Sequence, residues 1–149
     1  MNTNRIEFYS TKGEYGPFSN FSAHRVFLKE KTWRTTEHYF QAQKFAGTSH
    51  EEELRMAESP MVVARMGRSR KRPLRKDWEI VKDDIMREAV RAKFSQHKEL
   101  RELLLNTGDA ELIEHTANDS YWADGGDGSG KNMLGIILME VRADLRRES

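Results

Sequence analysis

The chain has 149 residues, room for one ordinary domain around one hydrophobic core, and its many charged residues nearly cancel to a net charge of +1. That balance excludes a global field steering the protein onto nucleic acid or an anionic membrane, so any such binding requires a local patch. With no cysteine, disulfides, zinc–thiolate sites and thiol nucleophiles are excluded as well.

Trp, Tyr, Phe and Met together number 21, too many large apolar groups for a disordered polar chain, so one folded domain over residues 1–149 is expected. No stretch approaches the ~20 apolar residues of a membrane-spanning helix. Met1-Asn2-Thr3-Asn4-Arg5 carries no apolar run behind its charge and does not resemble a secretory signal, so the cytoplasm is the expected compartment.

In chain order, Ile6-Glu7-Phe8-Tyr9 and Val26-Phe27-Leu28 read as short strands around a Gly-, Pro-, Ser- and Asn-rich loop from Gly13 to Ser22. Lys31-Thr32-Trp33 reads as a further short strand, with a turn at Glu30-Lys31. Thr35 or Thr36 caps a helix running to about Ala46, with Gly47 past its end. On its wheel Tyr39, Ala42, Phe45 and Ala46 share a packing side, while Glu37, Gln41 and Lys44 present an acid, an amide and an amine on another.

Ser49-His50-Glu51-Glu52 reads as a capping box opening a second helix to about Glu58. Ser59-Pro60 pairs an N-cap with proline at the first helical position and starts a third. From Asp77 to about Gln96, Trp78, Val81, Ile85, Ala89 and Ala92 recur at helical spacing. Further helices are expected from about Lys98 to Asn106 and from Met133 to about Arg147. Five or six helices with a minor β element make the fold mainly α.

Several groups could carry chemistry. Gly125-Gly126-Asp127-Gly128-Ser129-Gly130-Lys131-Asn132 nearly spells a P-loop, but Asn132 stands where Mg²⁺ needs a hydroxyl and no buried strand leads in. Its physical content is a Gly-rich turn whose backbone N–H groups could hold a phosphate or ribose hydroxyls; the plain alternative is a flexible loop capped at Asn132. Between Arg65 and Lys76 lie seven basic residues, either a solvated turn or an anion site, with Arg68 beside Gly67 the favoured contact. The five histidines show no ligand spacing, so neither a metal site nor a cofactor is expected.

Glu37 opens a helix among Trp33, Tyr39 and Phe40. An acid there complements the helix dipole and need do nothing else. Beside aromatic walls, though, a partly desolvated carboxylate can orient a water or stabilise a cation. Asp119-Ser120-Tyr121-Trp122 supplies a second acid beside an aromatic plane, suited to stacking a flat base and stabilising a cationic sugar.

Tyr15-Gly16-Pro17-Phe18-Ser19-Asn20-Phe21, then Trp33, Thr36-Glu37-His38-Tyr39-Phe40-Gln41-Ala42 and Lys44-Phe45, resemble the opening blocks of the NADAR, or YbiA-like, family. Met66-Gly67-Arg68, Trp78, Met86-Arg87-Glu88-Ala89 with Lys93-Phe94, Leu112-Ile113-Glu114, Asp119 with Trp122, and Asn132-Met133-Leu134-Gly135 continue it in order, so the match runs from Phe8 to Leu145. The resemblance implies an α+β, mainly α, orthogonal helical domain with a small N-terminal β element.

It also implies an N-glycosidase that hydrolyses the bond between ribose 5-phosphate and the amine of early riboflavin-pathway intermediates. The alternatives are removal of ADP-ribose from guanine in DNA, and a non-catalytic ADP-ribose- or NAD-binding module. The implied partner is a small ribosyl-phosphate or ADP-ribosyl compound, with ADP-ribosylated DNA belonging to the alternative. The family's catalytic glutamate falls on Glu37, and its functional Trp, Asp and Trp fall on Trp78, Asp119 and Trp122. Asn20, Phe21, Gln41, Lys44, Gly67, Arg68, Gly125 and Asn132 are the substrate-binding candidates. One departure is visible: Trp122-Ala123-Asp124-Gly125 stands where the family often has Trp-Gly-x-Gly, which matters if Ala123 needs a positive φ.

Overall fold

A computed structural model describes residues 4–149; Met1 to Thr3, which open the segment weighed above as a leader, lie outside the described residues. Six α-helices and four short strands occur among the described residues, a mainly α architecture with a minor β component. The described residues divide into two compact units, Asn20–Lys93 and the remainder formed by residues 4–19 with Phe94–Ser149. Among the described residues no helix is long and apolar enough to cross a membrane.

In the Asn20–Lys93 unit, β2 (Val26–Leu28) and β3 (Lys31–Trp33) form an antiparallel hairpin. Its turn is Lys29-Glu30, one residue earlier than expected, and both residues take positive φ (56° and 61°). Two-residue hairpins favour such turns because their twist matches the strands, even without the usual Asn or Gly. Lys29 is held there by bonds from Nζ to Gln43 and Glu51.

Helix α1 (Thr36–Gln43) is capped by Thr35, whose hydroxyl accepts from the His38 N–H. It ends three residues before the expected Ala46, and the chain turns to Gly47 at positive φ. Helix α2 (Ser49–Arg55) is capped by Thr48 rather than Ser49, because Thr48 Oγ1 accepts from the His50 N–H. It also stops short of Glu58. Helix α3 (Pro60–Arg68) starts as expected, with Ser59 Oγ accepting from the Val62 N–H.

Helix α4 (Trp78–Gln96) belongs to this unit up to Lys93. Helix α1 packs against α2 and α3 over a core including Trp33, Tyr39, Phe45, Leu54 and Val63. Each such fully buried side chain contributes roughly 1.5–3 kcal/mol relative to exposure. As a result every residue of α1 is buried, Glu37 and Gln41 included, and so is Lys44 just beyond it.

In the other unit, β1 is Arg5–Phe8, one residue earlier than expected, and it pairs in parallel with β4 (Glu111–Glu114). Strand β4 was not anticipated. Helices α5 (Lys98–Asn106) and α6 (Met133–Glu148) match their expected spans closely, and α6 packs on β4 and α5. Phe8, Phe18 and Phe94 interlock edge to face at 5.6 and 5.8 Å beside Leu112, Ile137 and Leu138.

Candidate functional site

Eight of the twelve expected site residues, Asn20, Phe21, Glu37, Gln41, Lys44, Gly67, Arg68 and Trp78, lie in the Asn20–Lys93 unit. Glu37 and Gln41 lie one turn apart on α1, and Gln41 Nε2 donates to Glu37 Oε2 at 2.8 Å. Glu37 is 9% exposed. The start of α1 is fixed from two directions. The Glu37 N–H donates to the Asn20 carbonyl at 3.2 Å, and the Thr36 hydroxyl donates to Asn20 Oδ1 at 2.8 Å. His38, fully buried, bridges Thr35 Oγ1 and the Ala57 carbonyl through its two ring nitrogens. Burial lowers its pKa, partly opposed by the Ala57 bond, so it holds the helix as a neutral ring.

Lys44 follows just beyond α1, 7% exposed, with Nζ 3.3 Å from the Gly67 carbonyl, to which it donates. The Arg70 guanidinium donates to the same carbonyl at 2.9 Å. Burial, and then the Arg70 charge, pushes the Lys44 pKa down to about 8, against a smaller upward pull from Glu37. Two cations therefore converge on one backbone oxygen at the C-terminal end of α3, where carbonyls of the helix end favour positive charge. Arg70 was not singled out within the basic run; nothing in its spacing distinguished it from Arg68, whose exposed side chain contributes only at a distance to the Lys44 shift.

Trp78 is 5% exposed and meets Phe40 edge to face at 5.1 Å, and Lys44 Nζ lies 5.7 Å from its centroid. It forms a wall beside the lysine and leaves little face for a stacked base. Phe21 retains 37% exposure, whereas the Asn20 amide is engaged, since its Nδ2 also donates to Met86 Sδ at 3.4 Å. Lys93, noted only as part of a family block, is 1% exposed and donates to Ser22 Oγ at 2.7 Å. Burial lowers its pKa to about 7.

Asp119, Trp122, Gly125 and Asn132 fall in the other unit. Asp119 Oδ1 accepts from the backbone N–H groups of Tyr121 and Trp122, both at 2.8 Å, an Asx-type turn that sets the tryptophan. Trp122 is half-buried and meets Tyr121 at 4.9 Å. Ala123 is buried at 0% and is not among the positive-φ residues, so this backbone does not require the family's glycine.

Most backbone donors of the Gly-rich segment are engaged within the chain. The N–H groups of Gly130, Lys131, Asn132, Met133 and Leu134 donate to carbonyls of residues 120–124, and that of Gly125 donates to Asp119. Asp124 Oδ1 accepts from Thr116 and Gly126, while Oδ2 meets His115 Nδ1 at 2.7 Å. The helix N-terminus that sequence offered to an anion is thus already satisfied from within the chain. Asn132, at φ 55°, stands at the N-cap of α6 without a side-chain capping bond; its amide instead donates to the Leu112 carbonyl and accepts from the Glu114 N–H, both at 2.9 Å, extending β4 by one side chain.

Comparison with known proteins matches the NADAR domain family to residues 7–146. The N-glycosidase YbiA of Escherichia coli (strain K12) is 60% identical over 143 residues, covering 96% of this chain and 89% of that protein. The riboflavin biosynthesis protein VVA0006 of Vibrio vulnificus (strain YJ016) is 40% identical over 97% of this chain, which spans 39% of that longer protein. The NMR structure of the E. coli protein YbiA superimposes with a TM-score of 0.92 at 59% identity, covering 99% of this chain and 88% of that one.

Proposed function

This chain belongs to the NADAR domain family and is an N-glycosidase, and we propose that it hydrolyses the bond between ribose 5-phosphate and the amine of an early riboflavin-pathway intermediate. The observation that carries the residue assignment is the Glu37 carboxylate, buried and donated to by Gln41 at 2.8 Å. The names of the E. coli and Vibrio relatives support the bond type and the pathway. That residues 1–149 act as one domain is part of the proposal, supported by a family match running from residue 7 to 146.

Cleavage breaks the C1′–N bond and adds water, the proton passing to the departing nitrogen and hydroxide to C1′. Glu37 orients that water or faces the oxocarbenium-like carbon; either use needs a carboxylate held in one orientation, which the Gln41 donor supplies. Lys44 and Arg70, converging on the Gly67 carbonyl, supply positive charge for the substrate phosphate. The Gly-rich segment is the weaker phosphate candidate, its donors being engaged. In the other unit Trp122 and Asp119, whose Oδ2 takes no part in the Tyr121 and Trp122 bonds, are retained only as the residues the family resemblance implies.

The basic run bears on ADP-ribosylated DNA as the alternative substrate. Arg72 is paired with Glu53 and Arg75 with Asp77, which removes two of the seven charges from a continuous patch. Offering a ribosylamine 5-phosphate intermediate and ADP-ribosylated oligonucleotide side by side tests the choice, with ribose 5-phosphate or ADP-ribose as the readout. Glu37→Gln abolishes release while keeping the fold, because the amide neither accepts a proton nor stabilises a cation. Full turnover by that variant refutes the assignment of Glu37; release of ADP-ribose alone refutes the substrate.

A further inference from the structure

We propose that Gly67 is a positioning residue for Glu37, acting through the carboxamide of Gln41. The inference rests on the reading of Glu37 given above. It assigns Gly67 a role different from the substrate contact expected from its place beside Arg68.

The first observation is the state of the Gln41 amide. Its Nε2 donates to Glu37 Oε2 at 2.8 Å, while its Oε1 is buried without a hydrogen-bond partner. Buried amide oxygens are rarely left so, because the lost solvation is not returned. Turning the amide over would aim Oε1 at the Glu37 carboxylate, oxygen against oxygen, and would leave Nε2 as the orphan. The orientation present is the one that gives the carboxylate a donor from Gln41.

The second observation is what lies against that oxygen. A Cβ built on Gly67 would stand 1.9 Å from Gln41 Oε1, 2.7 Å from Cδ and 3.1 Å from Cβ of the same side chain. The Gln41 side chain therefore lies directly on the glycine Cα, and the orphan oxygen faces a Cα–H, a weak donor. Real Cβ atoms do not approach neighbours so closely, so any side chain at position 67 displaces the amide.

The third observation removes the usual reason for a glycine. Gly67 lies in the last turn of α3 and is not among the glycines with positive φ. Its backbone is one that alanine adopts freely, and alanine is the better helix former. What requires glycine here is the neighbour on α1, and that neighbour holds Glu37. Gly67, Gln41 and Glu37 thus form a steric and hydrogen-bonded sequence running from α3 to the carboxylate.

The test compares Gly67→Ala, Gln41→Ala and the double variant with the wild type on a ribosylamine 5-phosphate, reading kcat, KM and the thermal midpoint. Gly67→Ala is expected to lower kcat by about tenfold or more with KM changed by less than about threefold, since a misaligned carboxylate raises the barrier without weakening the phosphate contacts. With no amide to displace, the double variant is expected to match Gln41→Ala in kcat.

Wild-type kcat in Gly67→Ala, a rise in KM alone, or independent multiplying losses in the double variant would each overturn the proposal. If Gly67→Ala does not fold, restoration of the fold by the added Gln41→Ala supports it, and a double variant that stays unfolded overturns it. A wild-type Gly67→Ala beside an inactive Glu37→Gln sinks this inference alone. Turnover by Glu37→Gln sinks the reading beneath it.

Discussion

Thr36 donates its hydroxyl to Asn20 Oδ1 at 2.8 Å, tying the first residue of α1 to a loop sixteen residues earlier in the chain. Both side chains are buried, and Glu37 is the next residue of the helix. The bond thus sets where the helix starts as well as where its acid sits.

Asn20→Ala removes the acceptor and leaves a buried hydroxyl whose nearest substitute is the Asn20 carbonyl at 3.4 Å. A cost of about 1–2 kcal/mol is expected, toward the lower part of the range for an orphaned buried group, because that substitute exists. Asn20→Asp keeps the acceptor but loses the Nδ2 donation to Met86 Sδ and buries a carboxylate, so at neutral pH it should cost more than the alanine. Urea unfolding of the three proteins checks the order, and Asn20→Ala should also turn over more slowly. Equal stability of the alanine variant and the wild type would remove the bond from the account.

The pair His115 and Asp124 carries a pH prediction. The Asp124 contact raises the His115 pKa above 6.5, and the same contact holds the Asp124 pKa below 3.8. A raised histidine contributes stability present below 6.5 and lost as pH rises through its folded value. A lowered carboxyl contributes stability present above 3.8 and lost as pH falls through its folded value. The pair therefore contributes most between those limits. Asp124→Asn, which can still accept from the Thr116 and Gly126 N–H groups, should return the His115 titration toward 6.5 in an NMR pH series. An unmoved titration would mean that the imidazole is held by something else.

Lys93 gives a slope opposite to that of His115. Burial lowers its pKa from 10.5 to about 7, so between those values the unfolded chain holds a proton that the folded chain lacks. Stability attributable to this group therefore rises with pH across that window and is flat below it. Lys93→Met keeps a long side chain and removes the charge, although it also takes the donor from Ser22. Its thermal midpoint relative to wild type should be most favourable near pH 6 and should decline steadily toward pH 10. A difference independent of pH would show that Lys93 keeps its proton throughout.

Much of the fold could be read from local chemistry. Ser59-Pro60 starts α3 and Lys98 to Asn106 bounds α5 because capping and helical spacing act within a few residues. Strand β4 could not be read that way. Its four residues Glu-Leu-Ile-Glu are too short to display a period, and its partner begins at Arg5, more than a hundred residues earlier. The turn at Lys29-Glu30 was displaced by one residue because two charged residues with positive φ carry no turn signature in sequence.

For the site, sequence by itself determined which chemical groups are available: Glu37, Gln41 and Lys44 on one stripe, glycine at 67, a basic run after it, and Asp119 beside Trp122. These follow from residue type and helical spacing, which need no partner element. Only the tertiary structure decided how those groups are used. It buried the whole of α1, chose Arg70 rather than Arg68 to meet Lys44 at the Gly67 carbonyl, laid the Gln41 amide on the Gly67 Cα, and engaged the Gly-rich segment's donors with residues 119–124. Each outcome depends on which neighbour fills the space beside a given atom, and close packing between elements distant in sequence settles that.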